Sequence, residues 1–317
     1  MRRNPYILAA LGVACCAFCL AYVFMGLTPE NMDFHFPRRM KIMAAVILVG
    51  TAIGMSAVTF QTITANHILT PGIMGLDNLY LFLQTVVVLF FGSGRLTMLT
   101  DIPGFLLTLL LMIGSSTTLF LLMFRGDERN VYFLVLVGFI CGTVFSGLAD
   151  FMQIVIDPSE YSVLEGRMFA TFNRVNFSLL GIAAVVVAAV IAASLPDFRS
   201  LDVITLGRNH AVNLGVRYHR VVLRSLIGTA VLTSAATVLV GPITFLGILA
   251  VSLARALLKT YRHSVLVSGS ILVAVAVLLL GMLVTERVMH FATPLSVIIN
   301  FVGGVYFLFL LIRARNT

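Results

Sequence analysis

The chain has 317 residues, of which 60% are hydrophobic and 11% charged, and its mean hydropathy is +1.05. Soluble globular chains average about 25% charged residues, so a soluble, disordered, collagen-like or small disulfide-built protein is excluded. The net charge of +8 fits the basic cytoplasmic loops of a polytopic membrane protein, so nucleic acid need not be invoked as a partner.

A spanning helix needs about 20 apolar residues. The first such run is 6–26, behind Met1-Arg2-Arg3-Asn4-Pro5. It is too long for the apolar stretch of a signal peptide and no clear small-x-small cleavage site follows, so it reads as a retained helix. Further runs lie at about 41–60, 77–92, 103–124, 131–152, 175–195, 221–240, 243–258, 264–284 and 294–312. Pro71-Gly72 breaks the chain before the third run, and Gly241-Pro242 separates the seventh from the eighth. The reading is an all-α polytopic membrane protein with about ten transmembrane helices, in a single domain over 1–317. Ten spans put both termini on one side. Fourteen of the 21 Lys and Arg residues fall on that side and seven on the other, which makes it the cytoplasm. The longest polar segments are 196–220, cytoplasmic and basic, and 153–174 on the outside. Shorter outer segments lie at 27–40 and 285–293.

Cys15, Cys16, Cys19 and Cys141 all sit in apolar runs and read as reduced residues. His35, His67, His210, His219, His263 and His290 stand near span ends and read as interfacial polar residues, with no metal site. No P-loop, H-E-x-x-H or G-x-S-x-G pattern occurs. Asp150 lies near the outer end of the fifth run and Glu286 just beyond the ninth. A proton-coupled carrier usually holds an intramembrane Asp, Glu or His relay, and an intramembrane enzyme needs paired His, Asp or Ser. Neither pattern is visible. The chain reads as a solute passage without catalytic residues, its energy source on another chain.

The cytoplasmic segment contains L-G-x-x-x-A-x-x-L-G, formed by Leu206, Gly207, Ala211, Leu214 and Gly215. The spacing suggests two short helices joined at a glycine corner, since Gly207 and Gly215 tolerate positive φ. Ala211 and Leu214 would form a small apolar ridge flanked by Arg208, Arg217 and Arg220, suited to a partner's groove.

At these residues the chain resembles the FecCD family, the permease subunits of type II ATP-binding-cassette (ABC) importers for ferric siderophores, haem and cobalamin. Three further segments carry the resemblance, in family order. They are 49–61 with 66–75, the Gly241-Pro242-Ile243-Thr244-Phe245-Leu246-Gly247 stretch, and 294–307. The chain departs from the pattern at His67, Ile68 and Leu69, at Val251-Ser252, and at Val305. The wording of 60–77 is similar to a branch that carries catecholate-type siderophores beside a second, non-identical permease.

The resemblance implies the following roles. Coupling helices at about 200–218, with Leu206, Gly207, Arg208, Ala211, Leu214 and Gly215, would receive one of two ATPase subunits, which use ATP and Mg. This chain would bind no cofactor itself. Arg38, Arg39, Lys41 and Arg287 would dock a substrate-binding protein at the outer face. Gln61 and Asn66 would stand near the gate or passage. The setting would be the cytoplasmic (inner) membrane of a bacterium, among its lipids. The cargo would be a ferric siderophore, with cobalamin or haem as the alternative.

Overall fold

A computed structural model describes residues 4–25, 32–92, 94, 102–123 and 131–315. Arg2, Arg3, Arg95, Arg125 and Arg129, which enter the charge count, lie outside the described residues.

The described chain is helical. The long helices are α1 (Asn4–Phe24), α2 (Met32–Ile63), α3 (Asp77–Phe91), α4 (Ile102–Met123), α5 (Val131–Val155), α7 (Phe177–Ser194), α10 (Tyr218–Val240), α11 (Leu246–Leu258), α12 (His263–Arg287) and α13 (Leu295–Arg315). Three short helices are α6 (Pro158–Met168), α8 (Phe198–Ile204) and α9 (Arg208–Asn213). Among the described residues eight helices are long and apolar enough to cross a membrane, and α11 and the apolar Leu295–Phe309 part of α13 correspond to the other two runs.

Some boundaries differ from the sequence reading for physical reasons. Apolar content marks only the part of a helix inside the bilayer. α2 begins at Met32, so residues 32–40, with Asp33, His35, Arg38 and Arg39 among them, extend the second span. Its 32 residues rise about 48 Å, well beyond the about 30 Å hydrocarbon core. α12 likewise runs to Arg287, which places Glu286 inside the helix of the ninth run. The outer segment 153–174 is shortened by the end of α5 and holds α6.

α2, α10 and α12 are buried over most of their length, while α1 and α5 lie at the rim. Gly50 and Gly54 bring α2 against α12. A Cβ at Gly54 would stand 3.1 Å from the Ile271 Cα, an approach that small residues permit between membrane helices.

Contacts fix the alternation of the helices. At one end Arg39 of α2, Glu286 of α12 and the last turn of α1 meet. At the other end Thr62 of α2 meets His263, the first residue of α12. α11, with 13 residues, rises only about 20 Å. It starts inside the bundle, after the irregular stretch Gly241–Phe245. Irregular backbone at membrane depth must be enclosed by protein. Here Gly241, Pro242 and Ile243 are buried.

Candidate functional site

The predicted coupling segment folds as α8, a turn and α9. Gly207 has φ +95° and Gly215 φ +82°. Gly215 closes α9 in a Schellman arrangement. Val216 N–H donates to the Ala211 carbonyl at 3.0 Å, and Gly215 N–H to Val212 at 2.9 Å. Ala211 is fully buried while Leu206 and Leu214 are 59% and 64% exposed. The sequence reading put Ala211 and Leu214 together on a ridge. The structure turns Ala211 inward, beside Leu201 and Ile204, and leaves Leu206 and Leu214 as the outward apolar pair. Arg208 is exposed next to them.

An ion pair and a hydrogen-bonded pair hold this segment. Arg224 of α10 lies 3.5 Å from Asp197 and donates to the Ala193 carbonyl at 3.1 Å. Asp202 of α8 accepts from both the backbone N–H and the ring Nδ1 of His263, each at 2.6 Å. An ionised carboxylate has no hydrogen to give, so Nδ1 carries it. His263 is 1% exposed. It is a buried hub, not an interfacial histidine. A lone His near a span start gives no sign of this, because its partner lies 61 residues away.

Beside this hub is the predicted gate. Gln61 is fully buried, and its Oε1 accepts from Arg255 Nη2 at 3.4 Å. Asn66 follows the end of α2 and is partly buried. Its Oδ1 accepts the Ile68 N–H at 2.9 Å, an Asx turn that reverses the chain. The His67 imidazole is held below its usual range, first by partial burial and then by the Arg255 charge.

In the bundle interior the sequence motifs converge. Asp77, buried at the start of α3, accepts from the Thr244 hydroxyl at 2.6 Å. A Cβ at Gly247 would touch Ala57 and Thr70 at 3.0 and 3.2 Å. Phe245 N–H donates to Asn300 Oδ1 at 3.4 Å, and the Phe245 and Phe307 rings are 6.0 Å apart. Segments 49–75, 241–247 and 294–307 are therefore one packed unit. Asp77 was missed in the sequence as a buried charge, although an acidic residue heading an apolar run was the available signal.

At the opposite end Arg38, Arg39 and Arg287 surround Glu286 in a cleft with Tyr22 and His35. Arg39 is turned inward. It pairs with Glu286 at 2.8 Å and donates to the carbonyls of Tyr22, Val23 and Met25 at 2.8 to 3.1 Å. Arg287 donates to the Met25 carbonyl as well. Arg38 is exposed and reaches Asn173 at 3.4 Å, and Lys41 is half-buried.

Among the described residues no group of three His, Cys, Asp or Glu is placed to hold a metal ion. Cys16 and Cys19 have C-x-x-C spacing, but both are free thiols within α1, a helix long and apolar enough to span a membrane.

The FecCD transport family profile matches residues 6–313. The chain is 45% identical to the petrobactin import system permease protein YclO of Bacillus subtilis, over 98% of this chain and 97% of that protein. It is 31% identical to the petrobactin import system permease protein FatC of Bacillus anthracis, over 88% of this chain and 78% of that one. Among solved structures, a metal-chelate type ABC transporter in an inward-facing conformation superposes with a TM-score of 0.82 at 22% identity, over 97% of this chain and 99% of that one. At that identity the last match speaks for the fold alone. Family membership makes the chain a non-catalytic permease subunit, with ATP hydrolysis on separate chains. The chain belongs to the FecCD transport family of ABC transporter permeases.

Proposed function

We propose that this chain is one permease subunit of an ATP-driven importer that takes a ferric siderophore, of catecholate type, from a binding protein across the cytoplasmic membrane of a bacterium. The observation that carries the reading is the 45% identity, end to end, to a petrobactin permease. Dicitrate and enterobactin permeases are more distant relatives, at 24% and 26%, and a vitamin B12 permease stands at 23%. That order supports iron chelates over cobalamin.

Both termini face the cytoplasm in this reading, with the segment at about 200–218. A second, non-identical permease completes the passage. Two ATPase subunits, using ATP and Mg, dock at the coupling segments. On this chain Leu206 and Leu214 enter the ATPase groove, Arg208 borders it, and Gly207, Ala211 and Gly215 shape the turn. The binding protein docks on Arg38, Lys41 and Arg287, with Arg39 holding the platform from within. Gln61 and Asn66 stand at the inner gate. ATP binding moves the coupling segment, and the rigid spans carry that motion to the gate.

The test is uptake of radioactive iron by cells lacking the gene, supplied with a ferric catecholate or with free iron. Loss of catecholate uptake alone, restored by the gene, is the expected result. Normal catecholate uptake, with a defect in cobalamin or haem uptake, would overturn the cargo assignment.

A further inference from the structure

We propose that Asp202, His263 and Thr62 form a chain of positioning residues that transmits movement of the coupling segment to the inner end of α2. The proposal rests on the reading that the segment at about 200–218 receives the ATPase.

The residues come from three separate helices. Asp202 lies on α8, within the coupling segment. Its Oδ1 takes two hydrogens from one residue, the backbone and ring N–H groups of His263, each at 2.6 Å. His263 is the first residue of α12. A carboxylate there satisfies a backbone donor that the helix itself leaves open. The coupling segment is thereby latched to the head of a spanning helix. The second ring nitrogen, Nε2, carries no hydrogen when Nδ1 does, so it accepts from the Thr62 hydroxyl at 2.8 Å. Thr62 adjoins Gln61, and Gln61 holds Arg255 of α11. Polar contacts thus join α8, α12 and α2, and the next residue of α2, Gln61, ties that helix end to α11.

The surrounding contacts are apolar. Leu201, Ile204 and Ala211 pack in one cluster with Phe60 and Ile63. Apolar contacts are non-directional and permit sliding. The hydrogen bonds fix register, so a displacement of α8 is passed on. A water-facing interfacial His would not be sealed at 1% exposure between two partners.

The test uses the complete importer, with both permeases, ATPase and binding protein, in proteoliposomes. Asp202→Ala and Thr62→Val should each keep the ATPase bound and hydrolysing ATP. Transport per ATP should fall about tenfold, the scale of a typical coupling energy between sites. The double variant should lose no more than the worse single one, since both break one line. A fluorophore on His67→Cys, just past α2, should respond to ATP in the parent and stay silent in both variants. Should Asp202→Ala, which lies within the coupling segment, fail to insert or release the ATPase, Thr62→Val leaves that segment untouched and carries the test.

Leu214→Glu separates the underlying reading. If it releases the ATPase while Thr62→Val leaves transport per ATP unchanged, the relay is wrong and docking stands. If Leu214→Glu keeps the ATPase bound and active, docking and the relay fall together.

Discussion

Arg39 of α2 and Glu286 of α12 form an ion pair at 2.8 Å, with side chains only 11% and 17% exposed. The same guanidinium caps the last carbonyls of α1. Three helices therefore share one charge at the proposed outer end, and the proposed docking platform is held in place from beneath.

Arg39→Ala should unlock that platform. It leaves Glu286 largely buried, with Arg287 at 3.8 Å, and strands the α1 carbonyls. Breaking a largely buried pair from one side costs about 3 kcal/mol. Thermal unfolding in detergent should show a clear fall, and Glu286→Gln a smaller one. Equal stability of all three chains would show that the pair is incidental.

Docking charge is separable from that platform. Arg38→Glu with Lys41→Glu should weaken capture of the binding protein with little loss of stability. The loss should be largest at low salt and shrink as salt screens it. Binding that is unchanged at low salt would remove these residues from the interface.

The glycine corners set the proposed coupling segment. Valine at Gly207 or Gly215 meets a φ near +90° that side chains rarely adopt. Insertion should be normal and ATP-driven uptake abolished. Full uptake in both variants would refute the assignment of this segment.

Asp77 and Thr244 staple two motif segments. Thr244→Val leaves the Asp77 carboxyl buried without its hydroxyl partner. The expected cost is about 1–3 kcal/mol, seen as a lower unfolding temperature. Asp77→Asn in the Thr244→Val background should recover part of it, because an amide is cheaper to bury than a charge.

Gly75 tolerates no Cβ. Its φ is +92°, and a Cβ would lie 2.7 Å from the Gly142 Cα. Gly75→Ala strains the backbone by about 1–3 kcal/mol and pushes α5 away. Folded yield should drop sharply, whereas Gly147→Ala, at a position with open space, should be silent.

The sequence made the spans legible because bilayer burial imposes long apolar runs, and among the described residues each of the ten runs reappears as an apolar helix. The turns at Gly207 and Gly215 were legible because positive φ selects glycine. The ends of α2 and α12 were not, since a helix continues into water with polar residues. Nor was the inward turn of Ala211, which depends on its packing with Leu201 and Ile204. The pairs Asp202–His263, Asp77–Thr244 and Arg39–Glu286 were hidden for a different reason. Each joins residues 61 to 247 positions apart, and a single sequence carries no signal of such pairing.

The central claim is tested most directly by transport in a purified system. Proteoliposomes carrying this chain, its partner permease and the ATPases are given binding protein loaded with a radioactive ferric catecholate. The account predicts accumulation that requires ATP and disappears with Gly215→Val. ATP-dependent accumulation of cobalamin or haem, with none of the ferric catecholate, would contradict it.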